Sequence, residues 1–313
     1  MSLSRRHFLA SSSLALAGSV IDLRALFAQA GQAAQAPPPP VFAAVRGTIG
    51  YFTAQGGTIG WHVDKKSVIV IDSMFPAPAK ICLDGINERS GGLKLDYLVN
   101  SHHHGDHTGG NAVFQPVAKK ILAHVNVPKL QREAAERAAK AAKPGAPPPP
   151  EQVYATATFE NTWREDVGGE VMFLKHYGPA HTGGDSVITF EKANVVHMGD
   201  LVFNRRHPFI DRPGGASIAN WIKTLEAVPG DHKQDTIYIF GHAGPNFPVT
   251  CSQADLMYQR DYLAALLDFV RGEMKAGKPR DVIVKIADPL KGFTDHGPLV
   301  ERVLSAAYDE LAG

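Results

Sequence analysis

The sequence is poor in features that mark several classes of protein. It has two cysteines in 313 residues, Cys82 and Cys251. Two cysteines this far apart are more often free and buried than paired, so we expect no disulfide. Charge is nearly balanced as well, with 32 Lys and Arg against 31 Asp and Glu. Bulk charge therefore gives no reason to expect binding to nucleic acid.

The N-terminal region lacks an apolar run long enough to anchor in a membrane. Residues 9–20 are too short and too rich in Ser and Ala for this, and they contain no cysteine that could carry a lipid. They follow Ser-Arg-Arg-His-Phe-Leu at 4–9, which resembles a twin-arginine export signal, and residues 28–30 offer a small-x-small cleavage site. We expect export to the periplasm by the twin-arginine machinery and a mature protein without a stable membrane anchor. An amphipathic or disordered tail is the alternative.

A short run of metal-ligand residue types follows an apolar segment at 94–100, which is typical of a buried strand. The run contains His-x-His-x-Asp-His, and imidazole and carboxylate are ligands that zinc, or less selectively iron and manganese, accepts at neutral pH. Alternating positions let His102 and His104 hold one ion. Asp106 and His107, on the turn that follows, can reach a second ion. The pattern predicts a two-metal site at the end of a strand.

A histidine-rich surface loop is the alternative interpretation of this run. A purification tag is excluded, because the run is internal and is interrupted by Gly and Asp. His103 should point away from its neighbours, and we expect it either to face solvent or to contact a ligand residue. His197, which lies on a predicted strand, should be packed near the site.

Three further residues of ligand type occur later in the chain. His181 precedes the turn Thr-Gly-Gly-Asp, whose glycines permit positive φ, and Asp200 and His242 each follow an apolar strand. Taken in order with the first run, these motifs resemble those of the metallo-β-lactamase superfamily. The resemblance covers the chain from about residue 41 to beyond His242, and it is specific because several motifs occur together.

The resemblance implies a four-layer αβ/βα sandwich that holds two zinc ions. Carried over residue by residue, the ligands of the first ion are His102, His104 and His181. Those of the second are Asp106, His107 and His242. Asp200 corresponds to a carboxylate that ligates the second ion and bridges both ions in many members. The best-known β-lactamases have Cys or Ser at that place, so this chain departs from them.

Such a site would generate hydroxide at neutral pH, because metals lower the pKa of bound water from about 15.7 toward about 7. The hydroxide bridging the two ions would attack a carbonyl carbon, and Asp106 would orient it or accept its proton. β-Lactam hydrolysis is the leading specific hypothesis for a small-molecule substrate. A lactonase or a thioester or ester hydrolase is the alternative favoured by Asp200. An iron-containing redox accessory protein is a non-hydrolytic alternative, and a pure binding module is disfavoured because every ligand position is filled.

The segment after Asp200 should run along the rim of the metal cleft. Asn204, Arg205 and Arg206 are candidates for holding a substrate carboxylate or polarising a carbonyl. The alternative is that the two arginines pair with surface acids.

We divide the chain into an export signal (1–30), a proline-rich linker (31–40), a metallo-β-lactamase domain (41–250) and a C-terminal helical extension (251–313). Strands are predicted at 47–52, 58–63, 67–72, 94–100, 170–176, 186–190, 194–198 and 236–240. Helices are predicted at 79–90, 108–114, 130–143, 217–228, 254–275 and 298–311, with a stiff proline loop at 144–150. Trp221 is expected in the core. The extension should cover the sandwich or form an interface with a partner subunit.

Overall fold

In the computed structural model, two β-sheets pack face to face with helices outside both. The structure describes residues 39–55, 57–143, 145 and 151–313. The predicted export signal and its cleavage site, most of the linker and the prolines at 144–150 lie outside the described residues.

The first sheet contains seven strands that follow the order of the chain. They are β1 (Val41–Arg46), β2 (Ile49–Ala54), β3 (Gly57–Val63), β4 (Val68–Ile71), β5 (Leu95–Asn100), β6 (Ala118–His124) and β7 (Ala157–Phe159). Strands β1 to β4 are antiparallel, whereas β4 to β7 run parallel. The parallel strands therefore end at one edge of the sheet, where the predicted ligands of the first run begin.

The second half of the chain supplies a second large sheet and a small one. The strands are β8 (Thr162–Val167), β9 (Glu170–Lys175), β10 (Val187–Phe190), β11 (Val195–His197), β12 (Phe203–Asn204), β13 (Ile237–Ile239), β14 (His242–Ala243) and β15 (Thr250–Cys251). The large sheet has the order β15-β13-β11-β10-β9-β8, and β12 pairs with β14. Strands β11 and β13 are parallel, so the segments after them also meet.

Local sequence explains where the main helices begin and end. The described helices are α1 (Pro76–Ser90), α2 (Gly105–Thr108), α3 (Asn111–Phe114), α4 (Asn126–Ala141), α5 (Ile218–Ala227), α6 (Gln253–Lys275), α7 (Arg280–Ile283) and α8 (Glu301–Ala312). Helix α1 starts at a proline and ends at Gly91 in the left-handed conformation. Ser217 caps α5, and a capping box of Ser252 and Asp255 starts α6.

The strands bury apolar side chains on both faces, which builds three separate clusters. In β4, Val68 and Val70 pack beneath α1, while Ile69 and Ile71 point between the two sheets. This alternation follows from the two-residue period of a strand. A third cluster lies on the outer face of the second sheet, beneath α5, α6 and α8. The four layers confirm the predicted αβ/βα sandwich.

The C-terminal helices share the core of the second sheet. Leu263 and Leu266 of α6 and Leu304 of α8 belong to the same buried cluster as Val196 of β11. The helices therefore cover the sandwich, which is one of the two roles expected for them. Trp221 is fully buried and donates its Nε1–H to a backbone carbonyl, as predicted for a core residue. No helix in the described parts of the chain combines the length and apolarity needed to cross a membrane.

The predicted helix at 108–114 is wrong, because the chain forms two short helices with Gly109 and Gly110 between them. A Cβ on Gly110 would lie 2.2 Å from the carbonyl oxygen of Ser73, so this backbone is pressed against the segment after β4. Cys82 and Cys251 are both free.

Candidate metal centre

Side chains of ligand type meet where the parallel strands of both sheets end. His102 and His104 follow β5, Asp200 follows β11 and His242 follows β13. His181 reaches the same place from the loop between β9 and β10. Because these residues directly follow buried strands or lie in loops between them, their side chains are held in fixed positions. One side of the site remains open.

The first group of donor atoms consists of three histidines and a carboxylate. His104 Nδ1 lies 3.1 Å from His102 Nε2 and 3.0 Å from His181 Nε2. Asp200 Oδ2 lies 3.9 Å from His102 Nε2 and 3.6 Å from His181 Nε2. The four donor atoms all lie within 4.8 Å of one another, close enough to hold one metal ion.

The second group shares Asp200 with the first. Asp200 Oδ1 is 3.1 Å from His107 Nε2, and Asp200 Oδ2 is 3.2 Å from His242 Nε2. His242 Nε2 also lies 3.1 Å from Asp106 Oδ2. The structure thus brings all seven predicted ligands together in two sets, and the carboxylate expected to bridge them lies between the sets.

Two buried donor atoms of this centre indicate whether its residues suit a metal ion. His107 Nε2 and Asp200 Oδ1 are buried 3.1 Å from each other, but neither atom forms a hydrogen bond of good geometry with the other or with any other described residue. A buried polar atom without a partner is costly, and a divalent cation would engage both atoms. Imidazole and carboxylate are also the donors that zinc accepts. The residues therefore fit a metal pair, and their binding of metal stays a prediction.

Asp72 holds the ring of His107 from behind. Its carboxylate is fully buried and accepts hydrogen bonds from His107 Nδ1 at 2.8 Å and from the hydroxyl and backbone N–H of Ser101, each at 2.7 Å. This contact fixes the ring so that Nε2 points into the centre. Sequence reasoning gave Asp72 no role. An acid directly after an apolar strand is the same signal that marked Asp200, and it could have found Asp72.

Asp211 plays the equivalent part for His104. Asp211 Oδ2 lies 2.9 Å from His104 Nε2 and 3.3 Å from His103 Nε2, and its Oδ1 accepts the backbone N–H of Gly214 at 3.0 Å. His103 is only 3% exposed, so it does not face solvent, and the alternative expectation of contact with a ligand residue holds. The segment after Asp200 folds over this ring, and His103 packs beside His104 against Asp211.

Burial and charge divide the histidines into two kinds. Burial lowers the pKa of His181 to about 3 and that of His102 well below its usual value, which keeps both rings in the neutral form that binds metal. Burial also opposes charge on His242, but Asp200 and Asp106 raise its pKa to about 9. The same balance, with Asp200 as the largest favourable charge, raises the pKa of His107 well above its usual value. Metal uptake at the second group would therefore release protons.

A glycine makes room for the shared carboxylate. A Cβ built on Gly241 would lie 2.0 Å from Asp200 Oδ1, so a larger residue would push the carboxylate away. His197 lies nearby, fully buried, and its Nδ1 accepts the backbone N–H of Gly199 at 3.2 Å. This agrees with its expected packing near the site.

An open cleft of about 550 Å³ leads to the centre. Its lining includes ligand-type residues and side chains of the rim, namely His104, Asp106, Asp200, Phe203, Arg206, His207, Phe209, His242 and Arg302. Phe209 and Arg302 were missed by sequence reasoning. Arg302 belongs to α8, far along the chain from every motif, so no local pattern marks it.

The three residues predicted to contact substrate have different surroundings in the structure. Arg205 pairs with Asp255 at 2.6 Å, donates to Asn204 Oδ1 at 2.7 Å and lies 3.9 Å from the centre of the Tyr258 ring. Asn204 is buried and donates to a backbone carbonyl. Neither residue is part of the cleft lining. Arg205 ties the rim to α6, and Asn204 ties it to the segment just before α6, at Pro248 and Cys251. The alternative of pairing with an acid holds for Arg205, and Arg206 alone of the three lines the cleft.

The fold and the joined histidine and carboxylate sets define a sandwich protein with a candidate two-metal centre. Residues 56–242 match the model of the metallo-beta-lactamase superfamily. The match spans more than half of the chain, and the chain belongs to this superfamily.

Solved structures share the fold at low sequence identity. The stereoselective inverting sec-alkylsulfatase Pisa1 from Pseudomonas sp. is 16% identical with a TM-score of 0.64, over 88% of this chain and 50% of that protein. A metallo-beta-lactamase from Pontibacter korlensis is 16% identical with a TM-score of 0.54, over 72% of this chain and 99% of that protein. These neighbours share the fold, and membership of the superfamily supports an enzyme.

One curated relative matches part of the chain. The α-subunit of 2,4-dinitroanisole O-demethylase from Nocardioides sp. (strain JS1661) is 28% identical over 138 residues. The matched stretch is 44% of this chain and 38% of that protein, so the chain spans well under half of this relative.

Proposed function

We propose that the protein is an exported two-metal hydrolase that acts on a small molecule. The observation that carries the proposal is the pair of donor sets joined by Asp200 at the base of an open cleft. Zinc is the metal that these donors favour, and iron and manganese are the alternatives.

The metals, when bound, would lower the pKa of water and polarise the substrate. The protein's own contribution is to position donors and water. Asp106 is the carboxylate more open to the cleft, with 34% of its side chain exposed against 3% for Asp200. Burial opposes its ionisation, but His107 and His242 hold its pKa below the usual range. Asp106 therefore stays charged and can accept a hydrogen bond from the attacking water, which orients it.

β-Lactam hydrolysis is the first specific activity to test. Asp200, in place of Cys or Ser, favours the second candidate, a lactonase or a thioester or ester hydrolase. An iron-containing redox accessory protein is the non-hydrolytic alternative, and measurement of bound metal in the purified protein separates it from the zinc enzyme.

The test uses protein from residue 31 onward, loaded with zinc and assayed with a chromogenic cephalosporin. We expect His104→Ala and Asp200→Ala each to lower the turnover rate by about a hundredfold or more, because each removes a metal donor. His232→Ala is the matched control, because His232 hydrogen-bonds Thr189 outside the cleft. A protein that binds two zinc ions without turnover would contradict the lactam proposal, and lactones, thioesters and sulfate esters would be assayed next.

We further propose that the twin-arginine machinery carries the chain to the periplasm. Replacing both Arg5 and Arg6 by Lys should leave the protein in the cytoplasm, as measured by cell fractionation. Arg24→Lys in the same N-terminal region is the control. Periplasmic recovery of the double variant would refute this route.

A further inference from the structure

Arg206 enters the metal cleft without a partner of opposite charge. Among the described residues its side chain has no hydrogen bond or ion pair, although its backbone N–H donates to Phe203. Its neighbours in the same segment differ, since Arg205 pairs with Asp255 and Arg212 pairs with Glu310. Arg206 is exposed, so its charge is available to a ligand in the cleft.

Arg302 lines the same cleft from the first turn of α8. Its guanidinium donates to the backbone oxygens of Pro208 at 2.9 Å and His207 at 3.1 Å, and it forms no ion pair with a described residue. Burial and the charge of Arg206 lower its pKa, so the two like charges act on each other. A cation in the first turn of a helix also opposes the helix dipole. The placement is electrostatically unfavourable in the absence of an anion.

The charges of the cleft favour a negative ligand. Asp106 and Asp200 are the carboxylates of the cleft lining, and both belong to the candidate metal sets. Two divalent ions would more than neutralise them, which leaves the charges of Arg206 and Arg302 uncompensated. A cleft lined by one sign of charge attracts ligands of the other sign.

Aromatic side chains form an apolar wall beside the arginines. Phe209 is 47% exposed at the cleft, and its ring lies 5.3 Å from that of His104. Phe203 stacks on His242 at 5.2 Å. The cleft therefore offers apolar area next to a concentrated positive charge.

We infer that the cleft selects substrates that join an apolar body to an oxyanion, a carboxylate or a sulfate, and that Arg206 and Arg302 bind the oxyanion. Arginine suits this role because its planar fork forms two parallel hydrogen bonds to such groups. The inference rests on the proposed hydrolase function and adds the class of substrate.

The first test measures binding rather than turnover. Zinc-loaded protein is titrated calorimetrically with hexanesulfonate, hexanoate and neutral hexan-1-ol. At least one of the two anions should bind about tenfold or more tightly than the alcohol. Arg206→Gln and Arg302→Gln should each weaken the binding of that anion by about tenfold, which is the scale expected for loss of a charged hydrogen bond. The stronger anion identifies the oxyanion, planar or tetrahedral.

Arg280→Gln is the matched control, because Arg280 pairs with Asp309 outside the cleft. Arg206→Gln removes no side-chain hydrogen bond or ion pair among the described residues, so it tests the inference even if Arg302→Gln loosens the rim. Equal anion affinity in the wild type and both cleft variants would overturn the inference. It would indicate that the metal ions bind the anion.

The second test separates the inference from the proposed function. 4-Nitrophenyl hemisuccinate and neutral 4-nitrophenyl butyrate form a matched pair of esters. Arg206→Gln should raise KM for the charged ester about tenfold more than KM for the neutral ester, whereas Arg280→Gln should change neither value. Hydrolysis without charge discrimination would refute the inference and leave the hydrolase standing. Arginine-dependent anion binding without hydrolysis of any ester or lactam would do the reverse.

Discussion

Four histidines of the candidate centre use both ring nitrogens. One nitrogen points inward, and the other contacts an oxygen of the protein, as in the pairs His107 with Asp72 and His104 with Asp211. The His181 ring is held in the same way by the carbonyl oxygen of Phe209 at 2.7 Å, and the His102 ring by the hydroxyl oxygen of Ser101 at 3.1 Å. These outer contacts fix ring orientation and tautomer. Metal affinity therefore depends on them in addition to the ligands themselves.

Asp211→Asn should weaken binding of one zinc ion by about tenfold to a hundredfold. The amide can still accept the Gly214 N–H, but it offers a weaker acceptor to His104. Competition with a chromophoric chelator measures the affinity, and cobalt absorption reports the ligand geometry. Asp231→Asn, at a surface pair with Lys175, is the control. Unchanged affinity would show that Asp211 does not position His104.

Gly241→Ala should displace Asp200 and reduce turnover by about a hundredfold, because small misplacement of a catalytic group has effects of this size. Both metal sets share Asp200, so zinc content should fall as well. Gly230→Ala is the matched control, since its added Cβ would meet no atom within 4 Å. Full zinc content in the Gly241 variant would contradict the steric argument.

Elements of the second half depend on contacts with the C-terminal helices. Glu310 of α8 accepts the backbone N–H groups of Ile218 at 2.7 Å and Ala219 at 2.8 Å, and it pairs with Arg212 at 3.1 Å. The last helix thus caps the start of α5 and holds the rim segment. The C-terminal helices therefore support the site in addition to covering the sheet.

Glu310→Gln should lower the free energy of unfolding by about 1–3 kcal/mol, because a charged acceptor at a helix start is weakened and an ion pair is lost. Glu301→Gln, at an exposed position of the same helix, should change it by about 0.5 kcal/mol or less. Urea unfolding of the metal-loaded protein measures both. Equal effects would contradict the capping role.

Edge strands were the elements least visible in the sequence. Strand β8 alternates exposed and partly buried residues and carries Arg164, Glu165 and Asp166, so its hydrophobic pattern is weak. Strand β7 has three residues, and its pairing with β6 is decided by the sheet. The buried strands β4 and β10 were predicted because their apolar runs are nearly continuous, and β5 because Leu95, Tyr97, Leu98 and Val99 make most of it apolar.

At the scale of the whole molecule, buried neutral histidines make stability depend on pH. His124 and His176 stack with ring centres 3.9 Å apart. Burial, and then the neighbouring His176, lower the pKa of His124 to about 4. Between pH 6.5 and about 4, the unfolded chain binds a proton at His124 that the folded chain excludes, so acid favours unfolding.

Stability should therefore fall as the pH drops from the ordinary histidine value of 6.5 through about 4. His124→Asn keeps an acceptor for the Asn126 N–H and removes the titrating ring. Its thermal midpoint should drop less over this range than that of the wild type, as measured by circular dichroism. Parallel curves would show that His124 does not contribute.

The order and type of the candidate ligands, the two-residue alternation of the buried strands and the long helices were determined by the sequence itself, because each is a local pattern. Membership of the superfamily followed from those motifs. The tertiary structure alone decided that Asp72 and Asp211 hold the ligand histidines, that Arg205 pairs with Asp255, and that Arg302 enters the cleft. These contacts join residues far apart in the chain, so they depend on how sheets and helices pack and on no pattern within one segment.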